Sequence, residues 1–277
     1  MSYKIVVDSS SNLKNDYLKD QDIGFEVVPL TIRVDDEIFV DNDNIDVDKM
    51  LTSMHKSKKK STSACPSPYD FLKTFEGYDN IFIITISSKL SGCYNSAINA
   101  GQQAQNEGKN VYVIDSKATA GSMILLVDEV YRLIKENYSF EEIKTKIDEY
   151  QKSINLLFVL SKYDNLVKNG RMSRFVAIIA TSLAIKPLCI ADNGEIKVQE
   201  KIRTFKGVLK RLVFNIGTLC KETKNKICYI CHTKNLEDSL FLKSLIEKNY
   251  SFKDVRIVEN RGLTAFYSLE KGIIVSF

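Results

Sequence analysis

The sequence predicts an α/β fold for the first half of the chain, with a parallel sheet flanked by helices, and an α+β fold for the second half. Short apolar runs alternate with helix-forming segments up to residue 153, and this alternation is typical of βαβ units. The second half contains a hairpin pattern around Asn193-Gly194, a dipeptide that favours tight turns between strands. We therefore expect an α/β domain at residues 1–153 and an α+β domain at residues 154–277, each long enough to bury its own core.

The composition is that of a folded protein without a nucleic-acid partner. Hydrophobic residues make up 44% of the 277 residues, and the net charge is only +4, from 39 Lys and Arg against 35 Asp and Glu. The longest apolar run, residues 175–185, is shorter than the roughly 20 residues that a spanning helix needs, so we expect no stable membrane insertion. The N-terminus lacks a secretory-signal pattern and the six cysteines show no disulfide framework. A cytoplasmic location is therefore expected.

In the first half, each element follows from its local pattern. Short β-branched runs predict strands at residues 4–7, 25–30, 31–34, 38–40, 81–86 and 111–114. Helix formers behind capping residues predict helices at residues 13–19, 47–55, 68–75, 118–137 and 140–153, and one that begins near residue 95. Ser67 and Asp70 have the spacing of a capping box, with Pro68 at the first helical position.

In the second half, strands and helices occur in a less regular order. Apolar runs predict strands at residues 154–160, 185–191, 196–201, 227–231, 255–258 and 273–277. Helices are predicted around Leu166 and at residues 175–180, 204–220 and 236–248. Between them, Arg171 and Arg174 occupy a basic turn and could hold a carboxylate or phosphate by forked hydrogen bonds. Surface arginines are common, so this turn alone does not define a site.

The junction between strand and helix at residues 80–97 is the most informative stretch. Ser87, Ser88, Ser91 and Gly92 follow a buried apolar strand and precede a helix. Hydroxyl groups and free backbone N–H groups at a helix N-terminus favour anions. Because the carboxyl ends of parallel strands share one edge, other polar segments are expected nearby: residues 8–10, Ser63 and residues 115–116.

Ser91 also permits a catalytic interpretation. Ser91 is followed by Gly92, and a glycine close after the serine is also found in the G-x-S-x-G turn that carries the nucleophile of serine hydrolases. The complete G-x-S-x-G pattern is absent here. His55 and His232 are the two histidines that could act as general bases. A hydrolase or phosphotransferase that uses Ser91 as nucleophile is therefore the alternative function.

Two further patterns favour structural interpretations over functional ones. Cys228-x-x-Cys231 followed by His232 offers at most three zinc ligands, whereas a structural zinc site needs four, and the surrounding apolar run favours core packing. His232 remains a candidate hydrogen-bonding residue near an interface. The lysine run at residues 56–60 could bind an acidic partner, but a solvated surface segment is the favoured interpretation.

Six polar segments follow one another along the chain. They are Asp8-Ser9-Ser10, Ser-Ala-Cys-Pro-Ser-Pro at 63–68, Ser-Ser-Lys-Leu-Ser-Gly-Cys-Tyr at 87–94, Asp115-Ser116, Gly-Arg-Met-Ser-Arg at 170–174, and Arg203. Their order and spacing resemble the DegV family of bacterial fatty-acid-binding proteins, and the resemblance covers essentially the whole chain.

The resemblance implies a non-catalytic carrier without a cofactor, which holds one long-chain fatty acid such as palmitate, stearate or oleate. The acyl chain would lie in an apolar tunnel of the second domain, and the carboxylate would meet Ser63 and Ser91 at the domain interface. The resemblance places Arg171 and Arg203 near the head group or a partner, and Gly92, Cys93 and His232 are further candidates for such contacts. Members called FakB present the bound acid to a fatty acid kinase for phospholipid synthesis, so such a kinase is the implied partner.

The chain departs from the family pattern at a few positions. Cys93 and Ser63 each stand where the family usually has threonine, and Asn169 stands where it usually has glycine. Ala265 lies roughly where the family has a histidine before Gly-Pro-Gly, a histidine that is linked with transfer to the kinase. We therefore expect fatty-acid binding, while phosphorylation of the bound acid stays open at this point.

Overall fold

A computed structural model describes residues 2–172 and 185–277 and confirms the mixed α/β class. The strands are β1 (Tyr3–Asp8), β2 (Ile23–Val28), β3 (Thr31–Val34), β4 (Glu37–Val40), β5 (Thr62–Ala64), β6 (Asn80–Thr85), β7 (Asn110–Asp115), β8 (Leu156–Val159), β9 (Lys186–Asp192), β10 (Glu195–Ile202), β11 (Ile227–His232), β12 (Asp254–Glu259) and β13 (Ile273–Ser276). The described helices are α1 (Val47–Lys56), α2 (Pro68–Leu72), α3 (Cys93–Asn106), α4 (Gly121–Lys135), α5 (Phe140–Lys152), α6 (Asp164–Lys168), α7 (Phe205–Leu219), α8 (Leu236–Asn249) and α9 (Gly262–Ser268). Short 3₁₀ helices cover Ser9–Ser11 and Lys73–Phe75.

The first sheet is parallel, as the alternation of strands and helices predicts. Its order is β2-β1-β6-β7, and every neighbouring pair is parallel. All six residues of β6 are buried, which explains why its sequence is a continuous apolar run without alternation. The carboxyl ends of these strands lie at one edge, where Ser88 N donates a hydrogen bond to Asp115 Oδ1 at 3.1 Å.

The second sheet has six strands in the order β10-β9-β8-β13-β11-β12. Its β9–β10 hairpin turns at Asn193 and Gly194, with φ angles of 49° and 87°, so the predicted Asn-Gly hairpin is confirmed. Helix α4 contacts β1 and β6 of the first sheet and β11 and β13 of the second. This helix therefore lies between the two sheets and joins their cores.

A small third sheet consists of antiparallel strands in the order β4-β3-β5, and the sequence predicts only two of these three strands. The sequence predicts β3 and β4, but β5 consists of Thr62, Ser63 and Ala64, which carry no apolar alternation. Pairing with β3 holds this strand in place, with Ser63 opposite Ile32. As a result, Ser63 lies on a regular strand rather than in a free loop.

Three helices predicted from the sequence differ from the structure or lie outside the residues that it describes. The helix predicted at residues 13–19 is wrong, because a short 3₁₀ turn at residues 9–11 ends at Asn12, whose φ of 66° is left-handed. Helix α4 begins later than predicted, because Lys117 and Ala120 also have positive φ angles. The helix predicted at residues 175–180 and Arg174 lie outside the described residues.

Two other sequence-based interpretations are confirmed by the geometry. Ser67 and Asp70 form the capping box of α2, with both reciprocal hydrogen bonds present. Cys228 and Cys231 are fully buried in the core, on β11.

Across the part of the chain that the structure describes, no helix is long and apolar enough to cross a bilayer. The domain boundary between residues 153 and 154 stays a prediction.

Candidate functional site

An apolar cavity lies where the β9–β10 hairpin, helix α9 and strands β8 and β13 meet. Its described walls are formed mainly by apolar side chains, among them Leu156, Phe158, Leu160, Ile196 and Ile274. A small number of polar side chains also line it, including Lys117, Arg171, Thr264 and Tyr267. Mostly apolar walls with a few polar groups suit an amphipathic small molecule.

Two hydroxyl groups and a cation meet beside this cavity, where Tyr267 and Arg171 belong to its described lining and Ser63 adjoins them. Ser63 Oγ lies 2.9 Å from the hydroxyl of Tyr267. The guanidinium carbon of Arg171 lies 5.9 Å from the centroid of the Tyr267 ring, and Arg171 Nε donates to the carbonyl of Leu90 at 3.1 Å. Hydroxyl donors beside a guanidinium can bind a carboxylate by charge-assisted hydrogen bonds.

Ser91 lies beside Leu90, which itself lines the cavity. The Ser91 hydroxyl accepts a hydrogen bond from Cys93 N at 3.3 Å and lies 3.2 Å from Cys93 Sγ. Gly92 packs so close to the Cys65 thiol that a β-carbon at position 92 would come within 3.1 Å of Sγ. This contact brings the Ser-Gly turn, with Ser91, next to the end of β5, with Ser63.

The geometry does not favour the catalytic interpretation of Ser91. His55 Nε2 pairs with Glu270 Oε1 at 2.6 Å, on the exposed surface. His232 is buried, and its Nδ1 accepts a hydrogen bond from Asn235 N at 3.2 Å. Neither histidine is among the hydrogen-bond partners of the Ser91 hydroxyl, so no Ser-His pair forms.

Asp8 is a fully buried carboxyl group next to Cys93. Its Oδ1 accepts a hydrogen bond from Ser10 N at 3.0 Å, and its Oδ2 accepts one from Ile86 N at 2.7 Å. Burial raises the pKa of Asp8 to about 6, although these hydrogen bonds favour its charged form. Burial and the nearby charge of Asp8 also raise the pKa of the Cys93 thiol. Cys93 therefore stays a neutral thiol at neutral pH and is a poor nucleophile.

Asp41 fixes the start of helix α9, which carries Thr264 and Tyr267. The carboxyl is 2% exposed, and its Oδ2 accepts a hydrogen bond from Leu263 N at 2.8 Å. Burial raises the pKa of Asp41 to about 6, against the lowering effect of the Leu263 hydrogen bond and of Arg261. Thr264 Oγ1 donates to the carbonyl of Ser10 at 3.1 Å, so the helix is also tied to the loop after β1.

The remaining sequence-based candidates lie apart from this arrangement. Arg203 is exposed, just before α7, and is not among the described residues that line the cavity. His232 is likewise absent from that lining. Lys56, Lys58, Lys59 and Lys60 are exposed, and no ion pair joins them to the described residues. Of the predicted residues, Arg171 belongs to the described cavity lining; Ser63 adjoins it through the hydroxyl of Tyr267, and Ser91, Gly92 and Cys93 follow the lining residue Leu90. Arg203 and His232 are absent from the described lining.

Comparison with known proteins identifies the family. The family model described as "Uncharacterised protein, DegV family" matches residues 2–272. The chain belongs to the DegV family. A DegV domain-containing protein of Streptococcus pyogenes serotype M1 is 38% identical to this DegV protein over 282 residues, which cover 100% of the chain and 99% of the relative.

Two solved structures are similar to this DegV protein over nearly their full lengths. One is the Streptococcus pneumoniae fatty acid kinase (Fak) B3 protein loaded with linoleic acid, at a TM-score of 0.94 and 34% identity, covering 100% of this chain and 99% of that one. The other is a DegV family protein from Eubacterium eligens loaded with heptadecanoic acid, at a TM-score of 0.91 and 33% identity, covering 99% of each chain. The α/β fold class and the resemblance to the DegV family are therefore confirmed.

Tyr267 and Asp41 carry no sequence pattern that marks them as site residues. Asp41 lies in a polar turn, where aspartate is common, and its burial depends on α9 from the far end of the chain. Tyr267 lies on a short helix that the sequence does not predict. The segment around Tyr267 departs from the family pattern, and this departure is the available signal, although it points to Ala265, which is buried inside the helix.

Proposed function

We propose that this DegV protein binds one long-chain fatty acid, with the acyl chain in the apolar cavity and the carboxylate near Ser63 and Ser91. The observation that carries this proposal is the cavity itself, which has apolar walls and has Arg171 and Tyr267 in its lining, with the Ser63 hydroxyl bonded to Tyr267. The two similar solved proteins, loaded with linoleic and heptadecanoic acid, support the same class of ligand.

The energetics of such a ligand suit these walls. Each buried methylene contributes about 0.8 kcal/mol, so a chain of 16 to 18 carbons obtains most of its affinity from apolar contact. Hydrogen bonds to the carboxylate then select the orientation, since the reversed ligand would bury its charge among side chains such as Phe158 and Ile274. A carrier of this kind needs no cofactor and no catalytic residue.

The supporting residues have distinct proposed roles. Arg171 supplies a positive charge toward the carboxylate, and Gly92 allows the Ser-Gly turn to approach Cys65. Cys93 N and Sγ keep the Ser91 hydroxyl in place. We assign Arg203 and His232 no contact with the carboxylate and keep them as candidates for partner contacts. The ligand would lie between the proposed domains, residues 1–153 and 154–277.

We further propose that a fatty acid kinase is the partner that receives the bound acid, and that the carrier works in the cytoplasm. The support for the kinase is the name of the similar Streptococcus pneumoniae protein. The buried Ala265 has no group that could assist transfer, so any such group must come from the kinase or from another residue.

Single alanine variants of Ser63 and Ser91 test the proposed carboxylate site. Each is expected to lower the affinity for oleate at least tenfold, because a hydrogen bond to a charged group is worth roughly 1.5–3 kcal/mol and about 1.4 kcal/mol corresponds to a factor of ten. Displacement of a fluorescent fatty acid by oleate measures this. Ser96→Ala on α3 is the matched control, since it removes a hydroxyl that makes no side-chain hydrogen bond with the described residues. Unchanged oleate affinity in both site variants would refute the assignment.

A further inference from the structure

We propose that the methyl end of the bound acid lies against a polar chamber, and that this chamber accepts a hydroxyl group at that end of the chain. This inference rests on the proposed function and adds a subclass of ligand, long-chain acids with a terminal hydroxyl. The apolar cavity and the chamber share four residues in their linings: Lys117, Ala118, Leu156 and Ala191. A single layer of residues therefore separates the two spaces, and the two alanines have the shortest side chains in it.

The end of the cavity that adjoins this chamber is the end away from the proposed carboxylate site. Leu156, Phe158 and Leu160 line the cavity. Alternate residues of a strand face the same side, so this part of the wall follows β8 for about 13 Å. Beyond Leu160 the chain leads through α6 to Arg171, beside the carboxylate site. Leu156 lies at the opposite end of β8, and it also lines the chamber.

The chamber is polar, in contrast to the cavity. Hydroxyl, amide and ammonium groups occur in its lining, from Ser116, Ser122, Lys117, Lys152, Gln151 and Asn193. Its volume of about 230 Å³ is enough for a hydroxyl group together with several water molecules. A hydroxyl group that is buried without a hydrogen-bond partner weakens binding, whereas a polar chamber keeps such partners available. The chamber thus removes the main obstacle to a hydroxylated chain end.

Gln151 supplies a free acceptor in the chamber. Its Nε2 donates a hydrogen bond to the carbonyl of Asp115 at 2.6 Å, which fixes the orientation of the amide. The amide oxygen Oε1 makes no hydrogen bond with the described residues, so it can accept one from a ligand hydroxyl. The hydroxyls of Ser116 and Ser122 already donate to other groups, each at 3.0 Å. Gln151 is therefore the acceptor that we expect to recognise the ligand hydroxyl.

Titration calorimetry with hexadecanoic acid and 16-hydroxyhexadecanoic acid tests the chamber, because the two ligands differ by one hydroxyl at the methyl end. We expect the unmodified protein to bind them with affinities within about threefold of each other. A closed apolar end would bury the hydroxyl without a partner and weaken the hydroxylated acid roughly 5- to 150-fold. A preference of that size for the unsubstituted acid would overturn the proposal.

Gln151→Met tests the acceptor. This variant should lose about fivefold in affinity for the hydroxylated acid and bind hexadecanoic acid normally, because it removes one neutral hydrogen bond. Gln105→Met is the matched control. The amide of Gln105 also donates to a carbonyl of β7, that of Val111 at 2.9 Å, but Gln105 is absent from the described linings of cavity and chamber. It should bind both acids like the unmodified protein, and thermal unfolding establishes that both variants are folded.

The orientation of the ligand gives a second readout. Ser91→Ala should lower the affinity for both acids by the same factor, because their carboxylates lie at the other end of the cavity. Unequal losses in Ser91→Ala, or equal effects of Gln151→Met on the two acids, would overturn the inference and leave the proposed function intact. If the unmodified protein fails to bind hexadecanoic acid itself, the proposed function fails and this inference fails with it.

Discussion

Replacing Ala191 with tryptophan is expected to lower the affinity for C16 and C18 fatty acids at least 100-fold. Ala191 lies on β9 and lines the apolar cavity, where an indole ring would occupy the space of several methylenes. Excluding about four methylenes costs about 3 kcal/mol at 0.8 kcal/mol each, which corresponds to a factor of roughly 200. Direct titration with palmitate and oleate measures the loss.

The control for added bulk is Gln199→Trp, on the neighbouring strand β10. Gln199 is exposed and does not line the cavity, so this variant should bind both acids normally. Thermal unfolding of both variants establishes that they are folded. A folded Ala191→Trp protein with unchanged affinity would show that the acyl chain lies elsewhere.

Replacing Gly262 with alanine is expected to destabilise the protein by about 3 kcal/mol, the upper range for overpacking of a buried site. A β-carbon at this position would overlap the carboxyl group of Asp41, which is buried and bonded to Leu263 N. Relief of the overlap must move either Asp41 or the start of α9. Because α9 carries Tyr267, fatty-acid affinity should fall as well. Urea unfolding measures the first effect and titration with oleate the second.

A double-mutant cycle that combines Gly262→Ala with Asp41→Ala tests whether overlap with the Asp41 carboxyl group causes the destabilisation. If the carboxyl is the obstacle, Asp41→Ala should cost much less stability in the Gly262→Ala background than alone. Gly108→Ala provides a comparison, because Gly108 has open space but a φ of 87°, so only a strain cost of about 1–2 kcal/mol is expected there. Additive effects of Asp41→Ala and Gly262→Ala would contradict this explanation.

The sequence was sufficient for those parts of the fold that local chemistry determines. The buried run of β6 predicts a strand of a parallel sheet, and Asn193-Gly194 predicts the hairpin, because both patterns reflect burial or backbone conformation at the residues themselves. Ser67 and Asp70 predict their own capping box for the same reason. These elements needed no knowledge of distant contacts.

Other features depend on partners that are remote in the chain. Strand β5 exists because it pairs with β3, and the 13–19 segment is not helical because the loop after β1 ends in a left-handed residue. Tyr267 meets Ser63 across 204 positions of sequence, so no local pattern could connect them. Local patterns single out Ser63 and Ser91, and the family resemblance implies their contact with a carboxylate, whereas Tyr267 and Asp41 required the three-dimensional arrangement.

Mass spectrometry of lipids extracted from the purified protein tests the central claim most directly. If the cavity is a fatty-acid site, the extract should contain close to one long-chain fatty acid per chain, and the delipidated protein should take up C16 or C18 acids again at the same ratio. The identity of the extracted acid would also give the acyl preference. Protein that is consistently empty when purified, and that takes up no C16 or C18 acid, would contradict the proposed function.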